Sequence, residues 1–287
     1  MPTSPPPRTL LRLAALAWLL VLGLFVFPSA HADTLRFGGT GSAIGTIKRL
    51  AQAFQQVEPG FQLELVPNLG SSGGIKAVGS GAIQLGAASR PLKAEEAATG
   101  LRAVEYGRTA FVLATAKDGV QNLTRREVAD LYAGRQARWP DGQPVRLVLR
   151  PASDADASQL ASFSPEVKLA VEAAQAREGM VLGMTDQETV DVIERLPGGL
   201  GTASMALLLS EQRRAHALAI DSVAPTLANV ENGRYPYTKT MLLVLRADAP
   251  AAVNRFVAFI GSAAGRRLLA ETGHVLPVPA ATTAAAR

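Results

Sequence analysis

Gly70-Ser71-Ser72-Gly73-Gly74 decides the reading of this chain, together with its companion Gly38-Gly39-Thr40-Gly41-Ser42. Each follows a strand-like run, Phe61 to Val66 or Thr34 to Phe37, and each opens a helix-like run. The first N–H groups of a helix have no partner within it, and that end carries partial positive charge. Glycine lets backbone approach a ligand closely, and serine and threonine hydroxyls add donors. Two such turns brought together would form a cage of donors for a small anion.

Outward from these turns, strand-like and helix-like runs alternate, which predicts an α/β architecture. Ala43 to Gln56 is expected to be helical, with Ile44, Ile47, Ala51 and Phe54 on one face. A short helix from Ile75, a strand around Ile83 to Ala87 and a short helix from Lys93 to Thr99 follow. Thr109 to Thr115 is a strand broken at Asp118-Gly119, and Thr124-Arg125-Arg126-Glu127 is a capping box for a helix ending at Gly134. Val145 to Leu149 is a strand, and Ser164-Pro165 opens a helix running to about Arg177. Thr185 and Asp186 are alternative N-caps for a helix through Val190 and Ile193, closed by Pro197-Gly198-Gly199-Leu200-Gly201. Met241 to Leu245 is a strand, and Pro250 to Leu269 reads as one helix stopping near Gly273.

Residues 1–32 read as a cleavable secretory signal: Arg8 and Arg12, an apolar run from Leu13 to Phe27, then Ala30-His31-Ala32. The run is shorter than the ~20 residues a membrane span needs. The remaining 255 residues suit one large or two small domains. The chain has no cysteine, so thiol chemistry and lipidation after the signal are excluded. The leader holds two of the 29 basic residues and none of the 24 acidic ones, leaving a net charge of +3. That balance fits an anionic partner, and no basic cluster is interleaved with aromatics as nucleic-acid binding would require. Export without a lipid anchor predicts a soluble protein of a bacterial periplasm.

Four segments carry donors suited to an oxyanion. Besides the two turns, Ser89-Arg90-Pro91 follows one strand, and Arg150 follows another with Ser153 close behind. In open α/β sheets ligands bind beyond the carboxyl ends of strands. An arginine fork matches a tetrahedral oxyanion because it is planar and permanently charged. The candidate anion-binding residues are therefore Thr40, Gly41, Ser42, Ser71, Ser72, Gly73, Ser89, Arg90, Arg150, Ser153, Asp154 and Asp156. Arg90 could equally serve a surface ion pair, and Arg150 could pair with Asp154 or Asp156.

The chain resembles the phosphate-binding proteins of bacterial ABC uptake systems. Gly70 to Lys76 is similar to the family's second anion loop, Leu85 to Pro91 to the strand and loop after it, and Gly41-Ser42 to the first loop. Gly198-Gly199-Leu200-Gly201 and Gly233-Arg234-Tyr235-Pro236 resemble two further family turns, the latter a return to the first lobe. The resemblance implies a two-lobed periplasmic binding protein fold, type II-like, with the ligand cleft between lobes. The lobes would comprise 33–116 with 235–279, and 117–234, leaving a frayed tail at 280–287. It implies that Ser42 and Ser71 donate from the first lobe, that Arg150 is the second-lobe arginine, and that Ser89 stands where many phosphate binders carry an aspartate. It further implies a monomer that needs no cofactor and delivers phosphate or a related oxyanion to an inner-membrane ABC permease.

Two departures bear on function. Where the family usually shows Ser-Gly-Thr after the arginine, this chain has Pro151-Ala152-Ser153-Asp154-Ala155-Asp156, and the usual acceptor position has become Ser89-Arg90. Either Asp154 or Asp156 accepts the proton of a protonated oxyanion, or both merely cap the following helix. The alternative function is a periplasmic sensing or interaction protein on the same fold with altered or lost anion binding. Catalysis is not expected: His31 leaves with the leader, and His216 and His274 have no partner motif.

Overall fold

The computed structural model describes residues 33–277, so the expected signal at 1–32 and tail at 280–287 lie outside the described residues. The chain runs β1 (Asp33–Gly39), α1 (Gly41–Gln55), β2 (Phe61–Val66), α2 (Gly70–Gly79), β3 (Leu85–Ala88), α3 (Ala94–Ala97) and β4 (Leu101–Thr115). It continues through β5 (Asn122–Leu123), α4 (Arg125–Ala133), β6 (Arg146–Leu149), α5 (Ala155–Ala161), α6 (Pro165–Gln175), β7 (Val181–Leu182), α7 (Asp186–Arg195), β8 (Gly199–Ser204) and α8 (Met205–Ser210). It closes with β9 (His216–Ala217), β10 (Ala219–Ile220), α9 (Leu227–Glu231), β11 (Thr238–Arg246), α10 (Ala251–Ile260), α11 (Ala263–Glu271) and β12 (His274–Val275).

The main sheet path is β2-β1-β3-β11-β4-β8-β6-β7, with β9 and β12 also paired to β4. β1 is parallel to β2 and β3, and β6 is parallel to β7 and β8. β4 joins the two parallel groups. Leu101 to Ala110 pairs antiparallel with β11, and Phe111 to Thr115 pairs antiparallel with β8. Two lobes result, each with its own core. The first packs Phe37, Ile47, Leu50, Phe54, Phe61 and Phe256. The second packs Phe111, Leu113, Tyr132, Val190, Ile193 and Leu200. The returning chain is pinned where β4 changes partner, because the Tyr235 hydroxyl donates to the Phe111 carbonyl at 2.9 Å.

Most expected elements are present, and the exceptions have local causes. α2 begins at Gly70, not Ile75. Its glycine-rich first turn packs directly on the end of β1: a Cβ on Gly74 would lie 2.8 Å from the Gly39 Cα. Contact with the strand offsets the poor helix propensity of Gly and Ser. The expected single helix from Pro250 is two helices, because Ser262 restarts the chain by accepting from the Gly265 N–H at 3.2 Å. Of the two alternative caps, Thr185 is used: its side chain accepts from the Glu188 N–H at 3.1 Å.

Phe256 is fully buried, with its ring 5.1 Å from Phe61 and 5.4 Å from Phe54. Phe256→Ala is expected to cost about 3–5 kcal/mol of stability, read from the urea midpoint. A loss below about 1 kcal/mol would show that the aromatic cluster is not central to the first core.

Candidate functional site

Three strands, β1, β3 and β6, end at one cleft of about 670 Å³. Of the predicted residues, Thr40, Gly41, Ser71, Ser72, Ser89, Arg90, Arg150, Ser153, Asp154 and Asp156 line it. Ser42 and Gly73 are not on its wall: Ser42 is buried, and the open side of Gly73 faces Leu69. Lys48, Asn68, Met184, Thr185, Asp186 and Gln187 also line the cleft and were not among the predicted residues.

On the first-lobe side, α2 presents its amino end. Helix geometry leaves the amides of Gly70, Ser71 and Ser72 without an intrahelical acceptor. The Ser71 hydroxyl accepts from the Ser89 N–H at 3.0 Å and lies 3.2 Å from the Ser89 hydroxyl, which ties the loop after β3 to α2. Arg90 takes the surface-pair alternative. Its guanidinium forks onto Glu96 at 2.7 and 2.8 Å and also donates to the Ser72 hydroxyl at 3.1 Å. The Arg90 hydrogen bonds hold the Glu96 carboxyl down at about 2. The Arg90 charge is thus largely compensated.

At the seam between the lobes lies a compact charged cluster. Arg150, at the end of β6, is buried and donates to the Gly183 carbonyl at 3.0 Å and to the Asp154 carboxylate at 2.7 Å, with Asp186 at 3.3 Å. The Arg150 Nε and the Thr202 hydroxyl have no protein partner, and both residues line a small cavity of about 10 Å³. Lys239, at the start of β11, is buried and meets Asp156 at 2.5 Å. It also donates to the Ser42 hydroxyl at 3.3 Å.

Asp154 does cap α5, accepting from the Asp156 N–H at 2.9 Å. Asp156 does not cap: it turns inward to Lys239, because a buried ammonium requires a counter-charge. Asp186, at the first position of α7, leaves its own helix to Thr185 and accepts from the Ser42 N–H at 2.7 Å and the Ser42 hydroxyl at 3.0 Å.

The cluster holds two cations and three carboxylates, and its protonation follows. Burial pushes the Asp156 carboxyl up to about 6 against the pull of Lys239, and the neighbouring Asp186 and Asp154 add to the rise. Asp186 is held below the usual range despite burial, by Lys239, Arg150 and the two Ser42 bonds. Among the described residues no group of three or more His, Cys, Asp and Glu side chains could hold a metal ion.

Sequence reasoning missed Lys239 and the outward role of Asp186. A lysine near the start of the apolar run Met241 to Leu245 was the available sign of the first. Nothing local distinguishes Asp186 from an ordinary first-turn acid.

A profile described as a PBP superfamily domain matches residues 28–264. The chain is 27% identical over 304 residues to Protein SphX of Synechococcus elongatus, covering 96% of this chain and 88% of that one. In structure it is similar to a putative phosphate ABC transporter substrate-binding protein with bound phosphate from Clostridium perfringens. That match has a TM-score of 0.71 at 24% identity and covers 86% of this chain and all of the other. It is also similar to the periplasmic molybdate-binding protein of Azotobacter vinelandii, with a TM-score of 0.58 at 15% identity over 85% of this chain and all of the other.

An aspartate whose folded value lies above its unfolded one keeps its proton in the folded state after the unfolded chain has lost it. Its contribution to stability therefore falls as pH rises from the ordinary aspartate range through about 6. Asn at this position does not ionise. Whatever the offset between them, Asp156→Asn is expected to gain on the wild type by up to about 3 kcal/mol between roughly pH 4 and pH 7. Paired urea melts measure the difference, and a gap independent of pH would rule out the raised carboxyl.

Proposed function

The chain belongs to the PBP superfamily, with the two-lobed type II periplasmic-binding fold. From that premise we propose that it is a periplasmic solute-binding protein that captures an inorganic oxyanion, phosphate first among the candidates, for an ABC-type importer. One observation carries the reading: the amino ends of α1 and α2 and the carboxyl ends of β1, β3 and β6 open on one cleft that also contains Arg150. Helix-end amides, serine hydroxyls and a guanidinium are the donor set a tetrahedral oxyanion takes. Lobes built from 33–116 with 235–279, and from 117–234, would close over the anion about the β4 and Tyr235–Thr238 crossings.

In this reading the Gly70, Ser71 and Ser72 amides and the Ser71 and Ser89 hydroxyls hold the anion from one lobe, and Arg150 holds it from the other. Asp154, exposed enough to meet the ligand, is the acceptor for a protonated oxyanion. A carboxylate accepts and cannot donate, so it favours hydrogen phosphate over sulfate. The bound-phosphate relative from Clostridium perfringens and the molybdate-binding relative from Azotobacter vinelandii support the oxyanion class and leave the choice among oxyanions to experiment. Among the described residues no helix is long and apolar enough to cross a membrane. The signal-like leader is what supports a periplasmic location.

A second reading has its own observation. The Ser42 donors and part of Arg150 are already engaged by carboxylates of the chain itself. A sensing or interaction protein that closes without an anion would look like this.

Thermal shift against phosphate, sulfate, arsenate, molybdate and tungstate separates the two. The transporter reading expects phosphate to raise the melting temperature, since a ligand at a hundred times its Kd adds about 2.7 kcal/mol. Ser71→Ala is expected to weaken phosphate by about 10- to 100-fold, the loss of one hydrogen bond to a charged group. No response to any of the five anions would favour the sensing reading.

A further inference from the structure

Asp186 is placed unusually for a residue at the start of a helix. An acid there ordinarily serves its own first turn, yet Thr185 caps α7 and frees the Asp186 carboxylate to point away. It reaches a residue 144 positions earlier in the chain. Its Oδ2 accepts from both the Ser42 N–H, at 2.7 Å, and the Ser42 hydroxyl, at 3.0 Å, while its Oδ1 lies 3.3 Å from Arg150. The family resemblance makes Ser42 a first-lobe anion donor and Arg150 the second-lobe arginine; Ser42 lies off the cleft wall and meets Asp186, which is on it. Ser42 and Arg150 are bridged here by a side chain. Lys239 completes the arrangement by donating to the same Ser42 hydroxyl at 3.3 Å.

The backbone around α1 is shaped for this approach. A Cβ on Gly41 would lie 2.4 Å from Gln187 Oε1 and 2.7 Å from Asp186 Cβ, and one on Gly45 would lie 2.2 Å from Ser210 Oγ. Gly41 and Gly45 therefore present a smooth helix face against the start of α7 and the end of α8. The Gln187 amide donates across the same seam to the Gly41 carbonyl at 2.9 Å. Ser42, Asp186, Arg150 and Lys239 are all buried, so the interaction is little screened by solvent.

We propose that Asp186 is a tethered anion: its carboxylate occupies the donor set at the amino end of α1, latches the two lobes together without a ligand, and competes with any oxyanion that enters there. The latch stands on the geometry alone, and only the competition rests on the oxyanion reading. A ligand arriving at Ser42 must displace a carboxylate held by two hydrogen bonds and a guanidinium. Asp186 thus sets the affinity of the site and holds the closed form in the absence of solute.

The test uses the mature chain, residues 33–287, with Asp186→Asn, which keeps the size of the side chain, and Asp186→Ala. In ligand-free protein, amide hydrogen exchange of the Gly41–Ile44 segment and small-angle scattering report the latch directly. Both variants should lose at least 10-fold protection in that segment while the α1 residues beyond Ile47 stay protected, and Asp186→Ala should have the larger radius of gyration. Unchanged protection and an unchanged radius in both variants would overturn the latch. Titration with inorganic phosphate reports the competition. Asp186→Asn should bind at least 10-fold more tightly than wild type, whereas a 10-fold weakening would make Asp186 a ligand-holding residue and overturn the tethered-anion role. If no variant binds phosphate, the oxyanion reading fails and the competition with it, while exchange and scattering still decide the latch.

Discussion

Buried charge has to be answered by buried charge, and that constraint organises this protein. Two cations and three carboxylates meet at the seam between the lobes, where desolvation makes an unpaired ion costly. Arg150 and Lys239 cannot sit there without carboxylate partners, nor the buried Asp156 and Asp186 without the cations, while Asp154 pairs with Arg150 from a partly exposed position. The five residues come from the end of β6, α5, the start of α7 and the start of β11. Their mutual compensation ties β11 to α5 through Lys239 and Asp156 and sets how charged the cleft is.

The scaffold brings these groups together by one device. β4 runs through both lobes and exchanges β11 for β8 as its partner between Ala110 and Phe111. The parallel strands on either side deliver their carboxyl ends, and the helices that follow deliver their amino ends, to the same groove. Glycine at Gly39 lets β1 run against β3: a Cβ there would fall 2.0 Å from the Ala87 carbonyl oxygen. Gly74 allows α2 to press against that same strand end. The donor-rich turns are thus consequences of close backbone packing as well as recognition elements.

Much of this is legible along the chain because it depends on near neighbours. The Thr124–Glu127 capping box closes as expected, with the Thr124 side chain accepting from the Glu127 N–H and the helix ending at Gly134 with φ +77°. Ser164-Pro165 opens α6 for the same local reason. One misreading involves contact at a distance. β4 starts at Leu101, well before Thr109, because pairing with β11 stabilises the charged, mixed run Leu101 to Arg108 as strand. The short helices α8 and α9 were missed because five or six residues carry too little periodicity to register.

The candidate site divides in the same way. Sequence alone determined that two glycine–serine turns start helices, that Ser89-Arg90 and Arg150 follow strands, and that carboxylates stand near Arg150, because each is a matter of adjacent residues. Tertiary structure alone decided that Arg90 is taken by Glu96, that Asp156 turns to Lys239, and that Asp186 lies on Ser42. Each of those outcomes is a choice among competing partners for one charge. That choice is made by which groups end within hydrogen-bond distance once water is excluded, and no local pattern encodes it.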